Sequence, residues 1–117
     1  MSECKIVKKG EVFWADLGQT EGHVQSGRRP VLVIGNDMAN RFSSVVTVLP
    51  MSARIEKLHA ISTHIKLNSA LRCESIVLPE QIRTISKEQL VSGCIYRLTD
   101  DEKESVDQAL LKQLGLS

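Results

Sequence analysis

Apolar and polar positions along the chain fall into short blocks separated by glycine, proline and polar runs. GEVFWADL (10–17) is rich in β-formers and reads as a strand, with Phe13 and Trp14 expected in the core. GQTEGHVQSGR (18–28) holds three glycines among mostly polar residues and reads as a long loop. RPVLVIGN (29–36) is apolar on both faces, the pattern of a central strand, with Pro30 confined to its start because it donates no ladder bond. DMANRFS (37–43) reads as a turn or short helix, and SVVTVLPM (44–51) as a strand ended by Pro50. After a polar loop (52–59), AISTHIKL (60–67) alternates: Ile61, Thr63, Ile65 and Leu67 face one way, and Ser62, His64 and Lys66 the other. SIVLPEQIRTI (75–85) reads as a strand broken or bulged at Pro79.

Two helix starts carry a capping box. Ser86 with Gln89 opens a short helix (87–91) that Gly93 ends. Thr99 with Glu102 opens a longer one, with Val106, Ala109, Leu110 and Leu114 on one face and Gly115 as its stop. CIYRL (94–98) between them is a short strand. Five or more short strands precede the one substantial helix. That order predicts a small curled antiparallel sheet or partial barrel with helices to one side.

Composition narrows the function classes. With 117 residues and 42% hydrophobic positions, the chain fits one folded domain over 1–117. A net charge of +1 argues against tight, sequence-blind binding along duplex DNA, and leaves room for a local basic patch. Cys4, Cys73 and Cys94 are odd in number and widely spaced, which disfavours a disulfide framework or a zinc site and points to reduced thiols in the cytoplasm. The N-terminal MSECKIVKKG lacks the apolar stretch of a signal peptide, and no segment is long and apolar enough for a bilayer. No metal or cofactor is expected: His23, His59 and His64 have no ligand spacing, and P-loop, dinucleotide and nucleophile-elbow patterns are absent.

Two groups of polar residues stand out. Arg28 and Arg29 follow a glycine-rich loop and precede Pro30. They are either solubilising charges at a strand end or a grip on an anion, for which the planar guanidinium matches phosphate oxygens. Glu80 and Gln81, with Arg83, follow a strand-breaking proline, an unusual trio for pure scaffold. Aromatic residues at 3% argue against a broad base-stacking sheet.

GEVFWADL, RPVLVIGND, TVLPMSARI, THI, VLPEQIRTISKEQL and LTDDEKESVDQALLKQLGL, taken in order, resemble the MazF/PemK toxins from about residue 6 to 116. The resemblance implies an SH3-like small β-barrel with a C-terminal helix, acting as a homodimer. It implies a sequence-specific, metal-independent endoribonuclease that cuts single-stranded mRNA, and an antitoxin peptide chain of the MazE type that blocks the RNA groove. By the same resemblance the catalytic arginine of the G-x-R-P segment falls on Arg29. The catalytic Ser/Thr in the loop after the third strand falls on Ser52, and the RNA-reading pair on Glu80 and Gln81. Arg28, Gln25 and His64 are candidates for the RNA-binding rim. Where many relatives read G-S-E-Q-G-G this chain reads GHVQSG, so His23 and Val24 replace Ser-Glu and that glutamate's role does not transfer.

Metal-free cleavage uses the RNA's own 2′-OH as nucleophile and yields a 2′,3′-cyclic phosphate and a 5′-OH. Arginine suits stabilisation of the phosphorane charge and is a poor general base, being protonated throughout the neutral range. His23 is therefore the candidate for proton transfer. The competing reading is a non-catalytic binding module on the same fold, either a gyrase-poison-like protein or a degenerate relative that binds antitoxin without cutting.

Overall fold

Alternation in GEVFWADL resolves into β1 (Glu11–Asp16), where Phe13 and Ala15 are buried on one face and Val12 on the other. The computed structural model describes residues 6–19, 22, 27–53, 65–67 and 75–116. Among these, β1 is followed by β2 (Arg28–Val33), α1 (Asp37–Phe42), β3 (Val45–Ser52), β4 (Ile65–Leu67) and β5 (Ser75–Val77). A 3-10 turn (Pro79–Gln81), β6 (Arg83–Ser86), a second 3-10 turn (Lys87–Gln89), β7 (Leu90–Arg97) and α2 (Asp100–Gln113) complete the order.

The strands pair antiparallel in the order β4-β5-β3-β2-β1-β7, with β6 also on β3. β3 changes partner along its length: Val45 to Val48 pair with β6, whereas Met51 and Ser52 pair with β5. Pro50 lies between those two partners, at a point where a missing N–H breaks neither ladder. The strand therefore runs on through Pro50 instead of ending there. This handover curls the sheet, and the molecule is mainly β with a C-terminal helix.

Both faces of the sheet carry apolar side chains. Phe13, Val31, Val33, Val46, Val48 and Ile85 form one core, and Val12, Leu32, Leu49, Met51, Leu67 and Val77 form the other with Leu98 and Val106. The two-sided pattern of RPVLVIGN is thus that of a central strand, shorter than expected because Asn36 leaves it to cap α1. Truncating Leu32, 1% exposed, is expected to cost about 2–5 kcal/mol.

Both capping boxes form. Thr99 accepts from Glu102 N–H at 3.2 Å while Glu102 accepts from Thr99 N–H at 2.9 Å, and Gly115 at φ +72 takes the left-handed turn just past the helix end. The Ser86 box opens only a 3-10 turn. The chain then enters β7 at Leu90 and continues through Gly93, where a helix stop was expected. The physical reason is a bulge. Phe13 pairs with Cys94 and Ala15 with Leu90, so Trp14 alone on β1 faces Val91, Ser92 and Gly93 on β7.

Polar contacts fix α1. Lys9 N–H donates to Asp37 Oδ1 at 2.7 Å, the main reason the Asp37 carboxyl is held below its ordinary range. Asn40, buried, donates to Gly35 O at 2.8 Å, and the buried Lys87 ammonium donates to Asn40 O near the helix C-terminus.

Candidate active site

The loop after β1 closes at a two-glycine neck. Leu17 N–H donates to Gly27 O at 2.9 Å and Gly27 N–H to Gly18 O at 2.7 Å, with Gly18 at φ +68 and Gly27 at φ +74, conformations that favour glycine. The neck delivers the two arginines onto β2 at fixed positions. Arg28 pairs with Asp16 and is exposed; Arg29 pairs with Ala15 and is half-buried. Pro30 faces Trp14, and the described β2–β3 pairs begin only at Val31, so the absent N–H of Pro30 falls outside them.

Ser52 is reached from the other strand. The β2–β3 register pairs Val33 with Val48, Leu32 with Leu49 and Val31 with Pro50. The described pairs end there; the same register continued by two residues would set Arg29 opposite Ser52 on one face of the sheet. Ser52 also pairs with Ile76 of β5. Arg29 thus has Ala15 beside it on β1, and Ser52 has Ile76 beside it on β5. The sequence expectation put Ser52 in a loop; it is instead the last residue of β3 and only 2% exposed.

The 3-10 turn bearing Glu80 and Gln81 follows directly. Leu78 N–H donates to Pro50 O at 3.1 Å, which ties the start of the turn to β3 just before Ser52. Gln81 N–H donates to Leu78 O at 3.0 Å and Ile82 N–H to Pro79 O at 3.3 Å. Buried Pro79 sets the first position of the turn, and the turn packs against both β3 and α2. Glu80 and Gln81 are half-buried, with the Glu80 Oε1 atom shielded from solvent. β2, β3 and the segment after β5 therefore bring Arg29, Ser52, Glu80 and Gln81 onto adjoining elements. His23, Gln25 and His64 lie outside the described residues.

One exposed residue here escaped the sequence reading. Trp14 is 42% exposed, whereas Phe13 is buried at 2%. The signal was present: consecutive strand residues point to opposite faces, so Phe13 and Trp14 cannot share one core. Opposite Trp14 the β1–β7 register shifts, so Trp14 has no single cross-strand partner on β7.

Comparison with known proteins adds independent evidence. Residues 8–114 match the family described as PemK-like, MazF-like toxin of type II toxin-antitoxin system. The chain is 42% identical over 114 residues to endoribonuclease EndoA of Bacillus subtilis, covering 95% of this chain and 97% of that one. Its fold is similar to that of MazF from Deinococcus radiodurans, with a TM-score of 0.81, 22% identity, and 95% and 98% of the two chains covered. It is also similar to a mycobacterial endoribonuclease solved in complex with its cognate antitoxin, with a TM-score of 0.75, 21% identity and 96% of each chain covered. The family match spans nearly the whole chain, Arg29 and Ser52 included: this chain belongs to the PemK-like, MazF-like toxins of type II toxin–antitoxin systems.

Proposed function

We propose that this toxin is a sequence-specific, metal-independent endoribonuclease of single-stranded mRNA. The observation that carries the reading is that Arg29 and Ser52 lie at the adjoining ends of β2 and β3, each two residues from the Val31–Pro50 pair, beside the turn of Glu80 and Gln81. The 2′-oxygen of the substrate attacks the adjacent phosphorus as its proton leaves. The bond from phosphorus to the 5′-oxygen breaks, and that oxygen is protonated as it departs. Arg29 stabilises the charge of the phosphorane with its guanidinium donors and is within its chemistry to protonate the leaving oxygen. Ser52 hydrogen-bonds a non-bridging oxygen and fixes the phosphate. His23 is our candidate for proton transfer.

Base choice falls to the turn. Gln81 both donates and accepts, which suits a base edge, and Glu80 accepts from an exocyclic amine. Arg28, Gln25 and His64 form the rim. Family membership supports an antitoxin chain as the natural inhibitor, its acidic segment competing with RNA for Arg28 and Arg29. A homodimer has a surface available: Ile6, Met38 and Phe42 are apolar and exposed on and beside α1. The cytoplasm is the compartment proposed, since it holds the mRNA.

The test is the chemistry of the ends. Cleavage of a long RNA in EDTA is expected to leave 5′-hydroxyl and 2′,3′-cyclic phosphate termini at one recurrent short sequence. Intact RNA that is nonetheless bound would overturn the proposal in favour of a binding module.

A further inference from the structure

Trp14 sits in a strand paired on both sides, between Phe13 at 2% and Ala15 at 0% exposure, yet it is itself 42% exposed. An indole open to water at such a position is informative, because large apolar side chains of central strands are normally covered. Val12, on the same face, is fully buried in the core that includes Leu98 and Val106; Trp14 is not a member of that core. On the other side the register with β7 shifts at Trp14.

Its neighbours on that face give the opening a chemistry. Trp14 pairs with Pro30 and Asp16 pairs with Arg28, so Trp14, Pro30, Asp16 and Arg28 share one face, with Arg28 diagonal to the indole. Diagonal partners of this kind lie about 7–8 Å apart, within reach of long side chains. Arg28 is exposed; Asp16, opposite it, accepts from Gly18 N–H at 2.9 Å through Oδ1. The backbone that carries the indole is held in place beforehand: the backbone N–H of Trp14 donates to Ser92 Oγ at 2.9 Å, and the facing residue is a ring-locked proline. A cation beside a fixed aromatic face is the arrangement that takes a nucleotide of a single strand, the base on the ring and the phosphate on the guanidinium.

We propose that Trp14 is a stacking platform for a base flanking the cut and that Arg28 holds the phosphate beside that base. The inference rests on the reading of the Arg29 site as RNA-cleaving. RNA is favoured over a protein occupant by continuity: Trp14 and Pro30 form the row next to Ala15 and Arg29. Their side chains leave the opposite face from Arg29, so the base they take is further along the strand than the scissile nucleotide and contributes to sequence preference and affinity.

Trp14 is the one tryptophan of the chain, so its emission reports this position alone. The probe is a single-stranded RNA spanning a mapped cut site, with a 2′-O-methyl group at the scissile nucleotide to prevent cleavage. Saturable quenching of Trp14 emission is expected. Trp14→Phe retains binding, and Trp14→Ala weakens it about ten- to hundred-fold, as a rise in KM with kcat held within about twofold by the size of effect expected of a flanking stack. Circular dichroism of each variant establishes that it is folded, and Trp14→Phe carries the comparison should the alanine variant unfold. If the wild type binds and cuts RNA while its emission stays constant, the platform is overturned and the cleavage reading stands. If it neither binds nor cuts, both fall. A Trp14→Ala protein that sediments as a smaller species with unaltered KM assigns the surface to a protein partner and also overturns the proposal.

Discussion

Arg29 of β2 and Ser52 of β3 each lie two residues beyond the Val31–Pro50 pair, the last described pair between the two strands. They come from sequence positions far apart, and neither strand alone makes the site. Ser52 is 2% exposed, so its hydroxyl is positioned by the strand end. Ser52→Ala is expected to lower cleavage about tenfold or more, since fixing one phosphate oxygen is part of the orientation that the reaction needs. The thermal midpoint should move by only a few degrees, because the methyl remains packed. Single-turnover rates alongside thermal melts check this; an unchanged rate would remove Ser52 from the chemistry.

The turn of Glu80 and Gln81 predicts a different kind of defect. Gln81→Ala is expected to blunt the sequence preference more than the rate at the best site, because the contact proposed for it is with a base edge and not the phosphate. Sequencing the cut ends of a complex RNA pool reads both quantities. Identical cut-site profiles for wild type and variant would contradict the assignment.

Legibility in the sequence varied with the range of the interactions involved. Capping boxes at Ser86 and Thr99, the break at Pro79 and the two-sided pattern of β2 depend on neighbouring residues, and all three were readable. Pro50 was misread because only the change of partner from β6 to β5 makes a proline tolerable there. Gly93 was misread because its bulge exists only opposite β1. Arg29 and Ser52 were assigned through resemblance, as bringing the ends of β2 and β3 together needs the β2–β3 register that no local pattern contains.

Tyr96 offers a clean pH experiment, being the single tyrosine of the chain. Its hydroxyl donates to Glu102 Oε1 at 2.6 Å. That bond, then burial and the Glu102 charge, push its pKa up from 10.0 to about 12. The folded state therefore keeps the proton that the unfolded chain gives up. The associated stability is complete below pH 10 and declines as pH rises from 10 towards about 12. Ultraviolet titration of phenolate should give a folded midpoint near the upper value, and Tyr96→Phe should flatten the alkaline loss. A midpoint near that of free tyrosine would refute the contact.

Lys87 predicts a stability effect away from the site. Its ammonium is buried at 5% exposure and donates to Asn40 O near the end of α1. Lys87→Met leaves that carbonyl without its donor and is expected to cost about 1–3 kcal/mol. Urea unfolding measures the loss, and cleavage per folded molecule should be unchanged. An unaltered midpoint would mean that the carbonyl finds another donor.

The most direct measurement compares wild type with Arg29→Ala on a long single-stranded RNA in EDTA, with cut ends mapped and the fold of both proteins checked by circular dichroism. The account predicts recurrent cuts by the wild type and a loss of about a hundred- to a thousand-fold in the variant, with the two spectra alike. Equal cutting by a folded Arg29→Ala protein would contradict it and leave the arginine as a docking charge at the strand end.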